Sequence, residues 1–182
     1  MGVAVILIIL LALVIYVISA YNKLVQERLK VDNQWSQIDI VLKQRSDTVP
    51  NLVRVVSGYA SHEKELLESV TQARARYLSA KDTNTSVRAA ADLSDGLSRI
   101  MAVAENYPDL RSNTNFLDLQ KRLADLEGKI ADFRQFYNDT VMRYNRLTAV
   151  FPSNLIAGIF GFAPREFFRA DDASKAAPEV RF

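Results

Sequence analysis

The first twenty positions, MGVAVILIILLALVIYVISA, hold no charged side chain and no proline. As a helix rising about 1.5 Å per residue, this run spans roughly 30 Å, the thickness of a bilayer's hydrocarbon core. Lipid offers no hydrogen bonds, so a single apolar run of this length must satisfy its backbone internally as a helix. The pattern therefore predicts a transmembrane anchor over residues 1–21, in contact with membrane lipid. A cleaved signal would begin with positive charge and carry a shorter apolar region. Ser19 and Ala20 are small enough for cleavage, but no Lys or Arg precedes the run.

Beyond the anchor, apolar residues recur at alternating spacings of three and four, the helical period. One stripe runs Leu24, Val31, Trp35, Ile38, Leu42, with Arg28 and Arg45 in register on the same line. A second runs Leu52, Val56, Tyr59, Glu63, Leu66, Val70, Ala73, Tyr77, and a shorter third runs Ala90, Leu93, Leu97, Ile100, Ala104, Tyr107. The last runs Phe116, Leu119, Leu123, Leu126, Ile130, Phe133, Tyr137, Thr140, Tyr144, Leu147, Phe151. Its alternation holds for about five heptads, as in coiled-coil packing. That helix should begin near residues 113–115, where Asn and Thr can cap it, and end by Phe151, before Pro152.

Three breaks separate the four stripes. Ser46-Asp47-Thr48-Val49-Pro50 offers caps and a first-turn proline. Lys81 to Ser86 is a polar loop, and Asn106 to Asp109 ends the third stripe. The alternative at Pro50 is a kinked but continuous helix. Short connections imply antiparallel neighbours. The fold expected is all-α: a transmembrane helix followed by an up-down antiparallel four-helix bundle of long, coiled-coil-like helices over residues 22–168. Residues 169–182 are expected to be a disordered polar tail.

Composition narrows the chemistry. Lys and Arg number 23 against 21 Asp and Glu, with no basic run, which argues against nucleic acid. There is no Cys and one His, which excludes disulfides, thiolate chemistry and the usual multi-histidine metal sites. Neither cofactor nor small-molecule substrate is expected. Lys23, Arg28 and Lys30 follow the span and no basic residue precedes it, so the positive-inside rule puts the amino terminus outside and the folded part in the cytoplasm.

Three candidate sites stand out. His62-Glu63 could serve as a base or a metal ligand, but adjacent helical side chains point about 100° apart and cannot chelate one ion alone. The plainer reading pairs Glu63, on the apolar stripe, with Arg45 or Arg28. Tyr137-Asn138 and Tyr144-Asn145 repeat at seven residues on one helix face. They read either as a polar strip for a peptide or small ligand, or as buried groups that fix helix register. Leu155, Ile156, Ile159, Phe160 and Phe162 form an apolar patch that is too short to span a bilayer. It either folds back on the bundle or docks on a partner or the membrane. Asn51, Arg74 and Arg76 read as a solvated face.

Several motifs resemble the LemA family in order: Tyr21-Asn22-Lys23-Leu24-Val25, Trp35-Ser36-Gln37-Ile38-Asp39, Leu42-Lys43-Gln44-Arg45 and Pro50-Asn51-Leu52-Val53. Gly58-Tyr59-Ala60, His62-Glu63, Ala73-Arg74-Ala75 and Glu105 to Leu110 continue the match, as do Phe116 to Gln120, Tyr137-Asn138, Tyr144-Asn145 and Phe151 to Asn154. Gly128 departs from the family's usual helix former, at about 1 kcal/mol of propensity. The resemblance implies a single-pass protein of the bacterial inner membrane with a helical bundle and no established biochemical activity. Family relatives include one that works in magnetosome formation, which suggests membrane organisation. The expectation is a non-enzymatic scaffold or adaptor that contacts another membrane protein or copies of itself. The alternative is a self-assembling, membrane-organising oligomer.

Overall fold

The computed structural model describes residues 1–168. The expected disordered tail at 169–182 lies outside the described residues. Among the described residues every regular element is helical: α1 (Gly2–Ser57), α2 (Lys64–Ser79), α3 (Thr83–Ala104), α4 (Pro108–Arg111), α5 (Thr114–Ala149) and α6 (Ser153–Ile159). One domain was expected over residues 22–168. By its contacts the chain divides into two compact units, one from Met1–Gln37 with Phe133–Phe167 and the other centred on Ile38–Asp132.

In the first unit, the start of α1 is long and apolar enough to cross a membrane. Val3, Leu7, Ile9, Leu11 and Ile15 remain 59–74% exposed, so this run is not a buried core helix. Such surface is unfavourable in water at about 25 cal/mol per Å² and is accommodated by lipid. After the span, Leu24 and Val31 are buried, and the Trp35 ring meets the edge of Tyr137 on α5 at 5.9 Å. Phe151, the last member of the α5 stripe, is 73% exposed because the helix has already ended at Ala149.

In the second unit, α2 runs antiparallel to α1: Arg74 reaches Ser46, and Tyr77 reaches Asp39. α3 runs antiparallel to α2, with Arg76 against Asp92 and Val70 against Gly96. A Cβ on Gly96 would lie 2.8 Å from Val70 Cγ2, so glycine sets how closely these helices approach. Their core joins Leu52, Val56, Val70, Leu93, Ile100 and Phe116, each at most 2% exposed. The helix starts are capped locally, the one near Asn113 as expected and the one at Asp82 inside the expected loop. Asp82 accepts from Thr85 N–H at 3.0 Å at the start of α3, and these Thr85 hydrogen bonds hold its carboxyl below the usual value. Asn113 accepts from Phe116 N–H at 3.1 Å at the start of α5, and Pro108 opens α4.

The expected break at Ser46–Pro50 does not form; α1 runs through Pro50 to Ser57, and the chain turns at residues 58–63 instead. Proline has no N–H, so the carbonyl four residues earlier, on Ser46, loses its helical donor. Arg74 supplies the replacement: its Nε donates to Ser46 O at 2.9 Å. Ser46 is fully buried, so water cannot take that role. Arg74 thus belongs to the fold, whereas Arg76 makes a surface pair with Asp92 and Asn51 is exposed.

Arg74→Met is expected to lower unfolding stability by about 1–3 kcal/mol, the usual cost of orphaning a buried acceptor. In a Pro50→Ala background residue 50 regains its N–H, so the same change should cost much less. Urea unfolding of the two single variants and the double variant measures this coupling; equal costs in both backgrounds would sink the assignment.

Candidate functional site

The repeated Tyr-Asn pairs hold a returning segment of the chain. After α5 ends at Ala149, Ser153 Oγ donates to Leu147 O at 2.7 Å and Val150 O at 2.9 Å, closing the helix end. The short α6 finishes in a glycine turn. Phe162 N–H donates to Ala157 O at 2.9 Å, and Gly161 takes φ +71°, where a Cβ would be strained.

From Phe162 the chain runs back as an irregular strap along α1 and α5. Tyr144 Oη donates to Ala163 O at 3.0 Å, and Tyr137 Oη donates to Glu166 O at 3.0 Å. Asn145 grips Arg165 twice: its Nδ2 donates to Arg165 O at 2.8 Å, and its Oδ1 accepts from Arg165 N–H at 2.8 Å. This donor–acceptor pair reproduces what a neighbouring β-strand would offer. The Arg165 guanidinium reaches Asp32 at 3.0 Å. Nearer the span, Tyr21 meets Phe160 at 4.9 Å and Phe162 at 5.6 Å, both edge-on, and Arg28 Cζ lies 5.2 Å from the centre of the Phe162 ring. Asn138 is half-buried beside Tyr137.

Burial pushes the Tyr137 and Tyr144 hydroxyls above their ordinary value, against the pull of Arg165. Both stay neutral donors at physiological pH, suited to holding carbonyls and not to acting as bases. The apolar patch divides. Ile156 and Phe162 are each 7% exposed, while Leu155, Ile159 and Phe160 are 51–75% exposed.

His62 and Glu63 sit in the turn before α2, not on a helix stripe. His62 is exposed. Glu63 pairs with neither Arg45 nor Arg28; its Oε1 accepts from Tyr107 Oη at 3.2 Å. Burial, then the Glu63 charge, raises the Tyr107 hydroxyl. The misplacement follows from the expected break at Pro50, which put Glu63 inside a helix. Arg45 is 1% exposed and binds Glu127 Oε1 at 2.6 Å, Ala90 O at 2.7 Å and Ser94 Oγ. It thereby ties α1 to α3 and α5. Among the described residues no three His, Cys, Asp or Glu come together as a metal site.

The LemA family profile matches residues 34–182. The chain belongs to the LemA family. Among curated relatives of this LemA-family chain are the magnetosome proteins MamQ 2 and MamQ 1 of Paramagnetospirillum magneticum, each 34% identical over 79 residues, 43% of this chain and 29% of the relative. The chain thus covers less than a third of the length of those two. Magnetosome protein MamQ of Magnetospirillum gryphiswaldense is 22% identical over 94% of this chain and 74% of the relative. The family match and the N-terminal apolar helix identify a membrane-associated helical protein.

Two outcomes follow. Asn145→Ala removes both bonds to Arg165 and should free the strap, so limited proteolysis should cut near residue 165 faster while the helical content is retained. Tyr77, Tyr137 and Tyr144 are all raised above 10.0, Tyr77 by burial and then by Asp39. The folded chain therefore holds these protons more tightly than the unfolded chain. Their contribution is fully present below about pH 10 and is lost as pH rises further. Thermal unfolding against pH should stay level for these groups and fall above pH 10, less steeply in Tyr144→Phe.

Proposed function

We propose that this protein is a non-enzymatic, membrane-anchored scaffold or adaptor whose helical units contact other proteins on the cytoplasmic face of the bacterial inner membrane. The observation that carries this reading is how the polar candidates are engaged. Arg45 joins three helices, Glu63 holds Tyr107, and Tyr137, Tyr144 and Asn145 hold main chain of the strap. Each is committed to structure, and the Tyr107 hydroxyl, raised by burial and by the Glu63 charge, stays a neutral donor rather than an activated nucleophile. The cytoplasmic side is favoured by Lys23, Arg28 and Lys30 just after the span. That curated relatives are named as magnetosome proteins supports a place at a membrane.

A self-assembling, membrane-organising oligomer is the second reading. It is favoured by large apolar side chains left on the first unit outside the span: Leu29 is 58% exposed, and Phe136 and Met142 are each 56% exposed. A second copy could cover them.

In-cell cross-linking of the tagged chain, followed by purification from native membranes and mass spectrometry, separates the two. One other protein in comparable amount supports the adaptor. Self-cross-links alone, in a large lipid-containing particle, support the assembly unit and remove the adaptor reading. Glu63→Gln keeps an acceptor for Tyr107 and should leave the cross-linking pattern and unfolding midpoint unchanged; loss of a cellular activity with the fold intact would overturn the non-enzymatic reading. A reporter fused after Phe182 is expected to be active in the cytoplasm, and activity only outside would reverse the orientation.

A further inference from the structure

We infer that α6 and the turns flanking it rest in the surface layer of the same bilayer that α1 crosses, with Phe151, Leu155, Ile159 and Phe160 turned into lipid. The inference rests on the membrane span and is independent of a scaffold role.

The first observation is position. Phe160 lies 4.9 Å from Tyr21, the residue that follows the apolar run, so α6 ends level with the point where α1 leaves the hydrocarbon. Ala20 is only 8% exposed and Val17 is half-buried, in a run whose other side chains are exposed. Folded chain therefore already lies beside the last turns of the span.

The second is chemistry. No Asp, Glu, Lys or Arg occurs between Arg146 and Arg165. Within that charge-free stretch Phe151 is 73%, Leu155 56%, Ile159 75% and Phe160 51% exposed, while Ile156, Ala157 and Phe162 face inward. In water this would be an unfavourable cluster of large apolar groups. At an interface it is the amphipathic pattern of a helix lying in the membrane plane. α6 is too short to cross a bilayer, which leaves the surface layer. Lys23 just after the span and Arg146 in the last turn of α5, the last cation before the charge-free stretch, are of the sign suited to anionic headgroups.

The third is continuity. The exposed face of α6 adjoins α1's own lipid-facing surface through the Tyr21–Phe160 contact. Lipid is therefore the occupant it meets first, ahead of a second copy of the chain.

The chain contains no cysteine, so single labels can be placed cleanly. Leu155→Cys and Ile159→Cys, both at exposed positions, would carry a nitroxide in the full chain reconstituted into phosphatidylcholine–phosphatidylglycerol vesicles. Val14→Cys serves as the reference within lipid and Gln135→Cys, on the exposed face of α5, as the reference in water. Accessibility to oxygen, which concentrates in lipid, is compared with accessibility to a water-soluble nickel chelate. Positions 155 and 159 are expected to show an oxygen-to-nickel ratio several-fold above that at 135 and approaching that at 14. A ratio like that of position 135 at either site overturns the inference. So does shielding from both reagents, which would mean that a second copy covers this face.

Discussion

A backbone polar group taken out of water must find a partner, and this requirement shapes each part of the molecule. Lipid can supply none, so the apolar run closes its own bonds as a helix. The same demand recurs outside the membrane wherever a helix is interrupted or absent. Pro50 removes one N–H from α1, and Arg74 of the neighbouring helix donates to the Ser46 carbonyl left behind. The strap has no helix or sheet of its own, and three side chains of α5 take the place of a neighbouring strand. Tyr137, Tyr144 and Asn145, which look like a ligand strip in the sequence, are substitutes for missing main-chain partners.

Arg45 shows the same economy with a charge. A buried guanidinium is tolerated only when several acceptors surround it. It has a carbonyl on α3, a hydroxyl on α3 and a carboxylate on α5, and Glu127 remains 45% exposed so that its own charge keeps contact with water. One side chain then fixes the rotation of α1 against two other helices, which apolar packing alone specifies weakly. Gly128 beside Glu127 has open space around its missing Cβ, so the helix former absent there is not displaced by packing.

Much of this was legible. The apolar N-terminal helix, the helical class and most core stripe positions follow from spacing, because a helix repeats every 3.6 residues whatever surrounds it, and the start of α5 near Asn113 follows from its cap residues. Three things were not. The turn at residues 58–63 was hidden because Pro50 is a stronger local signal than Gly58, and its cancellation depends on Arg74, distant in sequence. The partner of Arg45 was hidden for the same reason: a stripe shows that an arginine faces inward but not which carboxylate, 82 residues away, will meet it. The Tyr-Asn repeat read either as a polar strip for a ligand or as buried groups finding partners; that those partners are the chain's own residues 163–166 could not be read from helical periodicity, since the strap has none.

How the strap is held also determines what it can tolerate. Tyr144, Tyr137 and Asn145 bind the main-chain groups of Ala163, Glu166 and Arg165, not their side chains. Recognition of that kind does not read the side chains of Ala163 and Glu166, so register must come from elsewhere. It comes from the two ends. Gly161, at a positive φ open to glycine, aims the chain out of α6, and Phe162 is buried there against Tyr21 and under Arg28. At the other end, Arg165 is tied to Asp32. A one-residue slip would break the Asn145 pair and expose Phe162 together. The strap therefore carries its register in one aromatic anchor and one ion pair, and its affinity in hydrogen bonds that do not depend on sequence.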